Sequence, residues 1–307
     1  APRLTYRVRR DRNTDTPLPP DEPAGENPPD GAIIDYWLGR APTGPVTLEI
    51  LDATGKLVRR FSSADSAPPV DTTAIPIPTY WLRPPRIPSA EQGMHRFVWD
   101  LTYPAPEAFS YGYPISAIAH DTPRVPQGAL VLPGRYTVRL TVAGQSYERP
   151  LVIRMDPRIR TPLAGLREQF ALATRITDAM HRSFQGAMEV RALRAKLDTA
   201  RGGAGDELAK EIERVSAQAA AIERGRGEGD GAASSSPGLV RLNGQLASLL
   251  ESVEESDAAP TPAMAAAVAD LERALGEQLA RWTALRSGGV RALDARLRAE
   301  GKAGLGN

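Results

Sequence analysis

Along this chain of 307 residues the apolar positions change period once. Up to about residue 156 they alternate, the pattern of strands with one buried face. "AIIDYWL" (32–38) and "VTLEIL" (46–51) read as strands. "LVRRF" (57–61) follows the turn "DATGK", so 46–61 is predicted as a hairpin. "HRFVWDL" (95–101) alternates, and Trp99 within it is the expected core tryptophan. "RYTVRLTV" (135–142) puts Tyr136, Val138, Leu140 and Val142 on one face. The turn "AGQS" leads into "YERPLVIRM" (147–155), a second hairpin in which Pro150 indicates an edge position or a bulge.

From Thr161 the apolar steps become three and four. The first stripe runs through Leu166, Phe170, Ala173, Ile176 and Met180 to Leu197. A second holds Leu208, Ile212, Val215, Ala219 and Ile222; a third, Leu242, Leu246, Leu249 and Val253. A fourth runs from Met264 through Val268, Leu275 and Trp282 to Leu285, with a short extension after "SGG". "TP" at 161–162, "SP" at 236–237 and "TP" at 261–262 each set a capping hydroxyl before a proline at the first helical position. A helix from 162 to about 200 is about 58 Å long at 1.5 Å per residue.

These periods predict an α+β multidomain chain: an antiparallel Ig-like β-sandwich over 31–157, then an antiparallel helical bundle over 158–307. Absence of cysteine removes the inter-sheet disulfide of antibody domains, and with it thiolate chemistry and cysteine metal sites. "RGRGEGDGAASSS" (224–236) reads as a flexible Gly/Ser linker inside the bundle. Residues 1–30 read as a proline-rich strap. Within it Asp11, Asn13, Asp15 and Glu22 match the ligand spacing of a calcium loop. Thr16 stands where the loop needs glycine, and Pro17, Pro19 and Pro20 stiffen the part that must curl. The expectation is an extended polyproline segment without a metal. A strap so near the first residue also leads us to expect a fragment of a larger protein.

Charge adds little. The formal net charge is +1, so no field of one sign points to a nucleic acid. No apolar run approaches the roughly 20 residues that span a bilayer.

The strap, "VTLEILDATGKLVRRFSS", "GMHRFVWDLTYPAP" and "LPGRYTVRLTVAGQSYERPLVIRMDPR" occur in that order. This resembles the region after the β-propeller in large exported bacterial proteins of the sortilin-type or BNR-repeat, glycosyl-hydrolase-like group. The strand–turn pairs are similar to the Ig-like module of flagellar hook-capping proteins. The resemblance implies export, to the periplasm or the cell exterior. It also implies a non-catalytic accessory role, mediating protein or glycan contact beside an upstream propeller of the same protein. Polysaccharide and further copies of the chain are alternative partners. Two other roles stay open: completing the cleft of a glycoside-acting hydrolase whose catalytic residues lie in the propeller, and self-assembly into an oligomer or filament.

Nothing in the chain has the spacing of a catalytic motif. His95, His120 and His181 lie far apart and are expected to be structural. "GEGDGA" (227–232) follows a helix instead of a strand, which counts against a dinucleotide loop. A glycosidase needs two carboxyls roughly 5 to 9 Å apart. Only Asp100 and Glu107 are framed by aromatics, and no catalytic residue, cofactor or metal is expected. The sharpest feature is two long loops, 62–93 and 102–128. They carry Tyr80, Trp81, Arg83 and Arg86 in the first and Tyr103, Phe109, Tyr111 and Tyr113 in the second. Exposed rings beside arginines suit sugar stacking or a protein contact; the alternative is that they cover the sandwich.

Overall fold

The computed structural model describes residues 4–9, 21–23, 25, 29–67, 69–73, 75–114, 117–225 and 236–306. The calcium-like spacing, most of the strap and most of the Gly/Ser linker, with its "GEGDGA", lie outside the described residues. The fold is mixed α and β, with a five-stranded sheet, a two-stranded sheet and four long helices. By contact the chain divides into two compact units. The first holds Ala1–Ala105, Tyr111–Ala171 and Glu254–Ala259; the second holds Pro106–Ser110, Leu172–Val253 and Pro260–Asn307.

Among the described residues the first unit contains seven strands. They are β1 (Thr5–Arg7), β2 (Ala32–Leu38), β3 (Thr47–Leu51), β4 (Leu57–Ser62), β5 (Gly93–Trp99), β6 (Gly134–Val142) and β7 (Gln145–Met155). Six match the sequence reading closely. The seventh, β1, has too few residues to show a period, and it forms by pairing parallel with β7 at Ile153–Met155. The larger sheet runs β1-β7-β6-β3-β4; β2 and β5 pair separately. Both sheets bury one face in a common core. Ala32, Ile34, Tyr36, Phe97 and Trp99 come from the small sheet, and Leu48, Ile50, Phe61, Val138, Leu151 and Ile153 from the large one. Trp99 is completely buried, as expected, and its indole N–H donates to the Thr102 carbonyl at 3.1 Å.

Turn chemistry accounts for the hairpins. The Asp52 carboxylate accepts from the Thr54 and Lys56 amides, and Gly55 takes φ +84°. Ala143 (φ 50°) and Gly144 (φ 78°) form a two-residue turn with both φ values positive, the kind that matches strand twist. Pro150 pairs opposite Thr137 on β6, while β1 reaches β7 only from Ile153 on. Its missing N–H therefore falls on the open side of β7. Gly31 (φ +126°) enters β2 where a Cβ would stand 2.1 Å from the Trp99 carbonyl oxygen, so only glycine fits.

The helices are α1 (Leu163–Arg201), α2 (Asp206–Arg224), α3 (Leu239–Val253), α4 (Pro262–Leu285) and the short α5 (Arg291–Ala299). A π-helical stretch, Arg286–Val290, joins α4 to α5, so "SGG" continues the helix instead of interrupting it. The predicted stripes face inward: Ile176, Met180, Leu197, Val215, Leu246 and Leu275 are essentially inaccessible. Two of the three caps differ from expectation. Thr261 does cap α4, accepting from the Met264 amide at 3.2 Å. The Thr161 hydroxyl instead donates to the Asp257 carbonyl at 2.5 Å. At 236–237 the helix begins two residues late, because Pro237 bridges to Gly225 and Gly238 abuts the Gly225 amide.

Candidate functional site

The two long loops are tied together by main chain. The Arg83 amide donates to the Thr122 carbonyl and the Thr122 amide to the Trp81 carbonyl, both at 3.0 Å. This places Arg83 and Arg86 over Asp100 and Asp121. Arg83 Nε donates to Asp121 at 2.6 Å and Nη1 to Asp100 at 3.0 Å. Arg86 donates to the Val98 carbonyl at 2.9 Å and lies 3.8 Å from Asp100. Burial would raise the Asp100 pKa; Arg86, Arg83, the Thr102 hydroxyl and Arg59 outweigh it and hold the carboxyl below its ordinary value. Such a group stays ionised at neutral pH and cannot serve as a general acid.

The loop aromatics have separate neighbours. Tyr80 is exposed, edge-on to half-buried Trp81 at 5.7 Å and 6.4 Å from the His120 ring. Tyr111 lies under the Arg124 guanidinium at 4.2 Å, and Tyr113 is half-buried nearby in sequence. Tyr103 packs on Phe170 at 5.4 Å. Phe109 belongs to the helical unit. There it stacks on Phe184 at 4.6 Å, beneath the Arg191 guanidinium, and its amide donates to Asn243. Glu107 is also in that unit, bound by His181 at 2.6 Å and by Gln185 at 3.0 Å. Asp100 and Glu107 thus fall in different units. His95 contacts the Glu91 carbonyl and tilts against Tyr36. Among the described residues, no three His, Asp or Glu side chains converge as a metal site would require.

A different feature was not visible in the sequence. A groove of about 710 Å³ lies in the first unit. One wall is residues 34–40, consecutive along β2 and just beyond it. Alternating side chains cannot all face one way, so the groove follows the strand's edge. Among the described residues, β2 pairs in the sheet only with β5. The other wall is the inner face of the β6–β7 hairpin. In register these are Val138 opposite Arg149, Leu140 opposite Tyr147 and Val142 opposite Gln145. Gln145, Tyr147 and Arg149 alternate in phase with buried Leu151 and Ile153, yet all three are exposed. Among the described residues the small sheet has two strands against five, too narrow to cover the larger one's inner face. The only sequence signal was a face of β7 that ends in Gln, Tyr and Arg instead of aliphatics.

Comparison with protein-family models, with curated proteins and with solved structures finds no match.

Proposed function

We propose that this chain is a non-catalytic interaction region of an exported propeller-type protein, an Ig-like sandwich followed by a helical bundle, that contacts protein or glycan. The Ig-like reading is supported by strand order. A first strand runs parallel to the last, the last two form a hairpin, and a separate pair lies on the other side of one core. It is further supported by Tyr136, near the start of β6, whose hydroxyl donates to the Leu132 carbonyl at 2.7 Å. This is the geometry of the tyrosine corner in such sandwiches. Export and the propeller partner rest on the resemblance in the strand segments.

The observation that carries the contact role is the uncovered inner face beside β2. Val138 is buried there, while Leu140 and Val142 are half-buried and Tyr147 is exposed, an apolar shelf with no strand above it among the described residues. The catalytic alternative has less support, since Asp100 is paired with arginines and Glu107 is hydrogen-bonded by His181 and Gln185.

The test supplies an upstream propeller in trans, then polysaccharides, and measures binding to the intact chain. Tyr147→Ala and Leu140→Arg should weaken association by roughly thirtyfold or more, the effect of losing an anchor contact. Turnover of aryl glycosides that is abolished by Asp100→Asn or Glu107→Gln would defeat this reading. So would partner binding indifferent to both groove substitutions.

A further inference from the structure

We infer that the groove holds a small apolar anion, a carboxylate on an unbranched aliphatic tail, with its head on Arg149 and its tail along the shelf of β6 and β7. This goes beyond the contact role and depends neither on export nor on a propeller. Small-molecule sites are clefts of roughly 300–1,000 Å³, mostly apolar, with a few placed polar groups. This groove, at about 710 Å³, is of that size. Its lining is aliphatic along most of its length, with Val138, Leu140 and Val142 on one wall and Ile34 and Leu38 on the other.

The head group follows from the charges. Arg149 stands opposite buried Val138 in register and lines the groove. Among the described residues it forms no ion pair, and its one hydrogen bond goes to the Glu148 carbonyl at 2.8 Å. Exposed Arg40 lines the same groove and has no carboxylate partner among the described residues. Asp35, the carboxylate on the lining, is held by Arg96 at 2.8 Å. Positive charge is therefore in excess beside apolar surface. A neutral ligand leaves both arginines without a counter-charge, and a cation meets like charge. A guanidinium receives a carboxylate through two parallel N–H···O bonds.

The tail follows from the register. From the Val138/Arg149 pair to the Val142/Gln145 pair is four residues along β6, about 13 Å. A zigzag of about ten carbons with bonds of about 1.5 Å covers nearly that length. It passes over Leu140 and Tyr147, the middle pair of the shelf. The anion shares these two residues with the contact reading, but its test needs no partner, so either can fail alone.

The probe is decanoate, titrated calorimetrically into the intact chain below its micellar concentration. One saturable site is expected. Acetate, which has the head without the tail, should show none. Decylamine, a cation at neutral pH with the same tail, should bind at least roughly tenfold more weakly than decanoate. Arg149→Gln should weaken decanoate by roughly tenfold or more, the loss of a charge-assisted pair. Leu140→Glu, which sets a like charge beneath the tail, should weaken it at least as much. If a variant failed to fold, decanoate against decylamine on the unaltered chain would still measure the charge preference. No saturation at millimolar decanoate overturns the proposal. So does acetate or decylamine binding as tightly as decanoate, or an unchanged affinity in either folded variant.

Discussion

Asp100 shows how a single residue's neighbourhood decides between chemistry and structure. Framed by Trp99 and Tyr103 in sequence, it has the surroundings of a raised-pKa acid; in space it lies under Arg83 and Arg86. Its folded-state pKa is depressed, so the unfolded chain takes up the proton first as pH falls. The stabilisation it contributes is complete above its ordinary pKa of 3.8 and disappears as pH drops through the lower folded value. Asp100→Asn should therefore flatten the acid limb of a melting-temperature profile recorded from roughly pH 5 to pH 2, and cost about 2 kcal/mol at neutral pH. An unchanged acid limb would show that Asp100 does not carry that stability. Tyr136 is a second such residue. Its buried phenol is held in the protonated form by desolvation, and it donates to Leu132. Tyr136→Phe should cost about 1 kcal/mol in denaturant unfolding, because a part-buried carbonyl loses its donor.

At the scale of elements, the helical unit is held by polar residues that interrupt its apolar stripes. Asn243 on α3 is buried, and its amide nitrogen donates to the Glu107 and Met180 carbonyls and to Ser183, at 3.0–3.1 Å. Its side-chain oxygen accepts from the Phe109 amide. A segment from a β-rich stretch of sequence is thereby fastened among helices. Glu223 on α2 is likewise buried. Desolvation alone would raise its pKa, but hydrogen bonds and charge from Arg191 and Arg194 on α1 hold it low. Asn243→Leu fills the space and satisfies none of these groups, so it should destabilise by about 2–4 kcal/mol, with helical signal lost first. An increase in melting temperature would mean the polar knot is dispensable.

For the whole molecule, the boundary at 157/158 expected from chain order is not the boundary drawn by contact. Residues 254–259, between α3 and α4, belong to the first unit. There Asp257 pairs with fully buried Arg7 at 2.6 Å and with Arg9 at 2.6 Å, while Arg9 also reaches Glu254. The Arg7 guanidinium, its proton affinity lowered by burial, is compensated by a residue 250 positions away in the chain. Truncation near residue 160 leaves that charge buried and unpaired. The shortened chain should be less stable than the intact one by about 3–5 kcal/mol in denaturant unfolding, as should Asp257→Asn in the intact chain. Two independent, equally stable halves produced by cutting at 157/158 would refute this.

What the sequence determined by itself was local. Alternation and helical steps depend only on which residues are apolar and how far apart they lie, so six strands and four long helices were legible, with Trp99 as core and turns at Gly55 and Gly144. The small number of strands left for the second sheet was not legible, because period two marks a strand without saying which neighbour it takes. That pairing decided which face of β7 stayed exposed among the described residues. The fates of the loop aromatics also lay beyond periodicity. Tyr103 against Phe170, Phe109 against Phe184 and Asp257 against Arg7 are contacts between residues 67, 75 and 250 positions apart, and nothing in the spacing of a chain encodes which distant side chains share a desolvated space.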